Sequence, residues 1–94
     1  MNDGIFQWDE DKAASNYAKH GVRFEAARGV FRDPFAIEEM DDRENYGEER
    51  FILIGMASAR LLTVVYTMRG ETIRIISARG AEPYEHRQYH EQNS

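Results

Sequence analysis

The amino-acid sequence predicts an α+β fold, and three observations support that prediction. Helical spacing of apolar residues is confined to the first third of the chain and to its C-terminal end. Between these regions lie runs of apolar, β-branched and aromatic residues that are typical of strands. The connections between these runs are short, which favours antiparallel pairing. Helices before and after a set of strands indicate the α+β class, and the length predicts one domain over residues 1–94.

The first elements are predicted to be a short strand and two helices. Residues 5–8 are read as the strand. Asp9 is a suitable N-cap, and acidic residues follow it in the first turn, so a helix is predicted over residues 10–20. Gly21 supplies the left-handed residue that commonly follows a helix end. Apolar residues at helical spacing predict a second, shorter helix over residues 24–31.

The remaining elements are predicted to complete the sheet and to add a third helix. A polar loop is predicted over residues 41–48, and Pro83 suits the first turn of the last helix, residues 83–91. The predicted order is β-α-α-β-β-β-β-α, with two N-terminal helices, one C-terminal helix and an antiparallel sheet of about four to five strands. The four later strands are predicted at residues 35–37, 51–56, 61–67 and 72–77.

Composition excludes several classes of protein. The chain contains no cysteine, which excludes disulfides and cysteine-ligated zinc. Its apolar runs are too short to span a membrane, and no secretory signal is recognisable, so we expect a cytoplasmic protein. The net charge is −5, and residues 1–50 hold 13 acidic but only 7 basic side chains. This balance argues against strong, sequence-independent binding to nucleic acid, although a local basic cleft remains compatible with it.

The last strand ends in a candidate phosphate-binding residue. If side chains alternate without interruption, Ile73, Ile75, Ser77 and Arg79 share one face of this strand. Arg79 then lies at the end of the sheet, where its guanidinium can bind phosphate through two hydrogen bonds. The alternative is an ion pair between Arg79 and a nearby acid such as Glu82 or Glu85.

Two further charged segments are candidates for the site. Lys19 and His20 lie in the last turn of the first helix, where the alternative role is to cap the helix C-terminus. Glu49 and Arg50 begin the first long strand, where a carboxylate and a guanidinium can act as a base and a phosphate ligand. The alternative for this segment is a solvated strand entry with a weak ion pair.

No metal site is apparent. His86 and His90 are four residues apart on the last predicted helix and therefore share a face. That spacing can bind zinc, but the sequence supplies no recognisable third ligand. We therefore expect neither a metal nor another cofactor.

Taken together, these segments resemble the BrnT family of ribonuclease toxins from BrnT/BrnA toxin–antitoxin modules. The likeness covers residues 5–89, and its specificity comes from the order and spacing of many short motifs. The matching residues are Trp8-Asp9-Glu10, Lys12, Asn16, Lys19-His20-Gly21-Val22, Phe24, Val30-Phe31, Asp33-Pro34, Glu49-Arg50, Ile54-Gly55, Val64-Val65-Tyr66-Thr67, Arg74-Ile75-Ile76-Ser77-Ala78-Arg79 and Glu85.

The resemblance implies a RelE-like fold and a toxin that cleaves RNA and arrests growth when free. It implies a BrnA-type antitoxin partner with a ribbon-helix-helix DNA-binding domain, so that the toxin would contact DNA only indirectly. The complex would repress its own operon, and the assembly would be a dimer or a heterotetramer with the antitoxin.

Cleavage of RNA without a metal requires a base, an acid and a cation around one phosphate. We expect His20 or Glu49 to be the base or the acid, with the assignment between them open. Arg79 and Arg50 are expected to stabilise the phosphate. The residues expected to hold the RNA backbone are Lys12, Lys19, Arg69 and Arg74.

One departure from the family pattern motivates an alternative function. The segment after Arg79 is usually rich in lysine and arginine in this family, whereas residues 80–85 read Gly-Ala-Glu-Pro-Tyr-Glu. The alternative is a catalytically weak or inactive module that binds the antitoxin and acts mainly as an operon corepressor.

Overall fold

The computed structural model describes residues 1–94, with three α-helices and a five-stranded sheet. The α+β layout predicted from the sequence is confirmed. No helix is both long enough and apolar enough to cross a lipid bilayer. In chain order the elements are β1 (Phe6–Gln7), α1 (Glu10–His20), α2 (Phe24–Ala27), a 3₁₀ helix (Arg28–Arg32), β2 (Ile37–Asp41), β3 (Arg50–Ala57), β4 (Arg60–Arg69), β5 (Thr72–Gly80) and α3 (Pro83–Gln92).

The sheet has the strand order β1-β5-β4-β3-β2. Strands β2 to β5 are antiparallel neighbours, as predicted, and the two-residue β1 adds one parallel pair with β5. The edge strand β2 begins at Ile37, later than the prediction for residues 35–37. The carboxylate of Asp33 accepts the N–H of Phe35, and its carbonyl accepts the N–H of Ala36. These bonds hold the residues after Asp33 in a turn.

The ends of the first helices follow the sequence signals. The Asp9 carboxylate accepts the N–H of Lys12 at 3.1 Å, and Gly21 has the left-handed φ of 69°. The second helix is shorter than predicted, because α2 ends at Ala27 and the chain tightens into the 3₁₀ helix. Arg23 is the N-cap of α2 and supplies no side-chain hydrogen bond.

One face of the sheet, here called the helix face, packs against α1, α2 and the 3₁₀ helix. Leu53, Val64 and Ile75 project from three neighbouring strands into this layer. Trp8 and the fully buried Phe24 meet there edge to face, with ring centroids 5.7 Å apart. This layer contains most of the apolar core, so the helix face cannot hold a solvent-accessible site.

The opposite face, here called the cleft face, is covered only in part. Tyr89 of α3 packs there against Ile54 and Leu61, and its hydroxyl donates to Asp33 at 2.7 Å. The strand register places the other side chains of this face in three rows across β3, β4 and β5. The rows are Ile54–Thr63–Arg79, Ile52–Val65–Ser77 and, on β4 and β5, Thr67–Arg74, with Arg50 at the adjoining start of β3.

A β-bulge in β5 overturns the prediction that Ile73, Ile75, Ser77 and Arg79 share a face. Val65 pairs with Ser77 and Tyr66 pairs with Ile75, so Ile76 is an extra residue without a partner on β4. An extra residue reverses the alternation of the side chains that follow it. Ile73 and Ile75 therefore face the helices, whereas Ser77 and Arg79 face the cleft.

The two edges of the sheet differ. On the β1 side, the N-terminal residues pair along β1, and the side chain of Asn16 bonds both backbone groups of Ala78 beyond the end of β1. On the other side, β2 pairs only with β3, and its outer edge has no strand beside it.

Candidate active site

A cleft of about 360 Å³ lies on the uncovered part of the cleft face. The end of α1 closes one side, and the start of α3 closes another. The end of β2 and the residues after it form the third wall, and strands β3 to β5 form the floor. The lining residues are His20, Glu39, Met40, Asp41, Asp42, Arg43, Ile52, Thr63, Val65, Ser77, Arg79, Tyr84 and Glu85.

Arg79 lies in this cleft and is paired with Glu85, the ion pair that the sequence left open as an alternative. Its Nη1 and Nη2 donate to the two carboxylate oxygens at 2.7 and 3.1 Å. Nη1 also donates to the carbonyl of Gly80 at 3.2 Å. Burial raises the pKa of the Glu85 carboxyl, but the bonds from Arg79 and from the N–H of Glu82 outweigh burial and lower that pKa overall. Both partners are therefore charged near neutral pH.

Asn16 links the helix that carries His20 to the strand that carries Arg79. Its side-chain amide donates to the carbonyls of Val22 at 3.0 Å and Ala78 at 2.8 Å. Its side-chain oxygen accepts the N–H of Ala78 at 3.1 Å. The side chain of Asn16 thus satisfies the N–H and the carbonyl of Ala78, as a further strand beside β5 would do. These bonds fix the end of α1 against the cleft.

Three further polar residues of the cleft were not identified as site residues from the sequence. The buried Thr63 hydroxyl lies on the floor near Glu85, where it helps to lower the pKa of that carboxyl, although its geometry falls short of a regular hydrogen bond. Ser77 lies in the next row, opposite Val65, and Tyr84 is exposed at the rim.

The third wall of the cleft is acidic. Glu39, Asp41 and Asp42 lie there, and the fully buried side chain of Asp41 accepts two hydrogen bonds from Arg43 at 2.7 and 2.8 Å. The Arg43 side chain lowers the pKa of Asp41 to about 2 against the opposing effect of burial. With Glu85, four carboxylates face two guanidinium groups in the cleft.

The Asp41 pair predicts a pH-dependent contribution to stability. The pKa of Asp41 falls from 3.8 to about 2 on folding, so its stabilising effect is complete above pH 4 and is lost as the pH falls towards 2. Because Arg43 is largely exposed, we expect Asp41→Asn to lower the free energy of unfolding at pH 7 by only about 1 kcal/mol. Urea unfolding at several pH values measures this effect.

The matched control for Asp41 is Asp42→Asn, which removes the same charge from the exposed neighbour. The stability difference between the Asp41 variant and the wild type should shrink between pH 4 and pH 2. If Asp42→Asn causes an equal loss, or if the difference for Asp41 stays constant with pH, the pairing does not stabilise the fold.

A second, basic pocket adjoins the cleft. It has a volume of about 230 Å³, and no carboxylate lines it. Lys12 and Lys19 project from α1 into this pocket, where Ser77 and the bulged Ile76 line the β5 side. His20 and Ser77 line both the basic pocket and the cleft. Of the residues predicted from the sequence, His20, Arg79, Lys12 and Lys19 are therefore brought together.

Glu49, Arg50 and Arg69 lie outside the cleft. The Glu48 carboxylate bridges Arg50 and Arg69 at 3.3 and 3.1 Å, and the Glu49 side chain is exposed. Along β3, Arg50 is four residues from the row that contains Arg79, which corresponds to about 13 Å. The start of β3 is therefore a solvated strand entry with an ion pair, which was the alternative given for Glu49 and Arg50 from the sequence.

The remaining candidates are also dispersed. Arg74 projects from the cleft face and donates to the side chain of Gln7 at 2.8 Å. The rings of His86 and His90 stack on α3 with centroids 6.5 Å apart. No group of three or more histidine or acidic side chains is arranged to hold a metal ion.

Comparison with known proteins identifies the class of the chain. The profile of the family described as "Ribonuclease toxin, BrnT, of type II toxin-antitoxin system" matches residues 8–85, a segment that contains both the cleft and the basic pocket. The fold and this match define a ribonuclease toxin of the type II toxin–antitoxin class, which implies an antitoxin protein as a partner. Within that class, the chain belongs to the BrnT family. No curated protein sequence matches the chain.

Proposed function

We propose that this protein is a cytoplasmic, metal-independent endoribonuclease that arrests growth when it is free of its antitoxin. One observation carries the proposal, namely that the cleft containing Arg79 and the basic pocket containing Lys12 and Lys19 meet at His20 and Ser77. A strand of RNA can then place one phosphate beside the lysines and the next phosphate beside Arg79 and His20. Positive charge holds the backbone, and the polar groups between the two pockets meet the reacting phosphate.

The acidic wall sets the direction from which RNA approaches. Glu39, Asp41 and Asp42 repel phosphates on the β2 side of the cleft, whereas no carboxylate lines the pocket beside α1. We therefore infer that RNA enters along α1 and that only one phosphate reaches the cleft. Arg74, Arg69 and Arg50 lie farther along the sheet, so their predicted contacts with RNA would require a longer strand.

The proposed reaction is attack by the ribose 2′-hydroxyl on the adjacent phosphate. A base removes the hydroxyl proton, the new P–O bond forms, and the bond to the 5′-oxygen breaks as that oxygen receives a proton. The products are a 2′,3′-cyclic phosphate and a 5′-hydroxyl end. His20 is the candidate for one of the two proton transfers, because Glu49 is remote from the cleft. Arg79 stabilises the added negative charge on the phosphate.

Cleavage of RNA by the purified toxin tests this proposal. We expect the wild-type protein to cleave single-stranded RNA in the presence of EDTA and to leave cyclic phosphate ends. RNA with 2′-O-methyl groups should stay intact, because it lacks the nucleophile. His20→Ala should lower the cleavage rate by about 100-fold, which is typical for loss of a general acid or base.

His86→Ala is the matched control, because His86 is exposed on α3 and does not line either pocket. It should retain wild-type activity. Equal cleavage of RNA and 2′-O-methyl RNA would contradict the 2′-hydroxyl mechanism, and full activity of His20→Ala would exclude the role of His20.

The proposed partner is a BrnA-type antitoxin whose ribbon-helix-helix domain supplies the contact with operator DNA. We propose that it covers the cleft and that its basic side chains meet the acidic wall at Glu39 and Asp42. A dimer of ribbon-helix-helix chains with two toxins would give a heterotetramer.

The excess of carboxylates in the cleft favours one second candidate function, a catalytically weak toxin that acts mainly as a corepressor. Such a protein would bind its antitoxin and tighten operator binding without cleaving RNA. Expression without the antitoxin gene would then leave growth unchanged, whereas the toxin–antitoxin complex would bind operator DNA more tightly than the antitoxin alone.

A further inference from the structure

Glu85 is the acidic residue that contacts Arg79 directly, and it takes no part in the proton transfers of the proposed reaction. We propose that Glu85 is a positioning residue, whose carboxylate orients the Arg79 guanidinium so that its free edge binds two oxygens of the RNA phosphodiester. This inference rests on the RNA-cleaving function proposed above.

The hydrogen bonds of Arg79 leave one edge of its guanidinium free. A guanidinium has five N–H donors in a rigid plane. Three of these donors are used, two on Nη1 for Glu85 and Gly80 and one on Nη2 for Glu85. The two donors that remain are Nε–H and the other Nη2–H. These groups lie parallel on the same edge, the arrangement that binds two oxygens of a phosphate.

The free edge of Arg79 is accessible from the cleft. The side chain is 30% exposed and lines the cleft. Thr63 Oγ1 is the single buried side-chain nitrogen or oxygen atom that lacks a partner, so the unpaired Nε of Arg79 is not a buried atom. A phosphate at this edge would lie above the floor of the cleft, over the row that pairs Thr63 with Arg79.

Glu85 is fixed in place and cannot readily leave Arg79. Its side chain is only 3% exposed. One carboxylate oxygen accepts both from Arg79 at 2.7 Å and from the backbone N–H of Glu82 at 2.8 Å, at the start of α3. A carboxylate that merely competed with phosphate would have to move away when RNA binds. A fixed carboxylate instead restricts the rotamers of Arg79 before RNA arrives, which lowers the entropy cost of orienting the guanidinium.

If Glu85 positions Arg79, its removal should slow cleavage. If Glu85 instead competes with the RNA phosphate for Arg79, its removal should leave the rate unchanged or raise it. Glu85→Gln keeps the oxygen that accepts from Glu82 and from Nη1 of Arg79, but its NH₂ group cannot accept from Nη2. We expect kcat for RNA cleavage to fall about tenfold, because the guanidinium keeps only one neutral hydrogen bond to residue 85 and is no longer held in its plane by a paired carboxylate. KM should stay the same or decrease by up to about threefold, since the variant removes one negative charge from the cleft. If Glu85 competes with RNA, kcat will stay unchanged or rise, and the proposal is wrong.

A double variant separates positioning from a structural role. If Glu85 acts through Arg79, adding Glu85→Gln to Arg79→Ala should cause no further loss of kcat. A further tenfold loss would overturn the proposal. Glu91→Gln removes the same charge from the exposed surface of α3 and should leave kcat and KM unchanged. Thermal unfolding establishes that each variant is folded at the assay temperature.

The same experiment distinguishes failure of this inference from failure of the proposed function. Wild-type protein that neither cleaves RNA nor binds a 2′-O-methyl oligonucleotide would overturn both. Active wild-type protein together with a fully active Glu85→Gln variant would overturn only the role of Glu85.

Discussion

Arg79→Ala is expected to lower the rate of RNA cleavage by about 100- to 1,000-fold, the largest change in activity that the structure predicts. A preorganised donor to the transition-state charge is typically worth about 3–4 kcal/mol. The substitution removes both free donors at the phosphate and leaves the buried Glu85 carboxylate without its partner. Single-turnover cleavage of a short labelled RNA measures the loss, and the same variant should permit growth when it is expressed without the antitoxin.

Two further variants make the Arg79 result specific. Arg79→Lys retains the charge but not the pair of parallel donors, so its rate should lie between those of the wild type and the alanine variant. Arg87→Ala removes an exposed arginine of α3 and should cleave at the wild-type rate. Because loss of Arg79 also destabilises Glu85, circular dichroism must first establish that the alanine variant is folded. A folded alanine variant with a rate within about threefold of the wild type would exclude Arg79 from the site.

Asn16→Ala is expected to cause the largest loss of stability from a single polar residue, about 3 kcal/mol in the free energy of unfolding. The residue is 8% exposed, and its side chain makes three hydrogen bonds, which join Val22 to both backbone groups of Ala78. Alanine would leave these backbone groups without their partner, and each unpaired buried group costs about 1–3 kcal/mol before any rearrangement. Urea unfolding at pH 7 measures the change.

Asn16→Ala should also lower the rate of RNA cleavage by more than partial unfolding can account for. Under conditions in which the protein remains folded, the cleavage rate should fall about tenfold, because the end of α1 with His20 is no longer fixed against β5. Ser15→Ala, at the exposed neighbouring position, is the control for stability. If Asn16→Ala unfolds within about 0.5 kcal/mol of the wild type, the three bonds do not hold the elements together.

Much of the fold could be predicted because its signals are local. Asp9 and Gly21 mark the ends of α1 through bonds to residues within one turn. The long strands follow from β-branched and aromatic runs with short connections. The bulge at Ile76 could not be predicted, because a run of apolar residues gives no sign of which one lacks a partner. That single residue changed the face on which Arg79 lies.

The site was predicted less completely, for two different reasons. Asn16 bonds to Ala78, 62 residues away, and a polar residue in a short amphipathic helix otherwise indicates the surface. The remoteness of Glu49 could have been inferred from the predicted sheet itself. In three successive antiparallel strands, the start of the first and the end of the third lie at opposite ends, so Glu49 and Arg79 are separated by strand direction alone.

Because its two edges differ, the sheet can accept a further strand on one side only. Residues at the N-terminus and the side chain of Asn16 occupy the positions beside β1 and β5, whereas the backbone of Ile37–Asp41 faces outward without a neighbouring strand. Any peptide that extends this sheet must therefore add beside β2. Since β2 also forms the acidic wall of the cleft, a strand added there would lie at the cleft entrance. Glu39, Met40 and Asp41 therefore belong both to the open edge of the sheet and to the wall of the cleft, so a strand paired with β2 would also narrow access to the cleft.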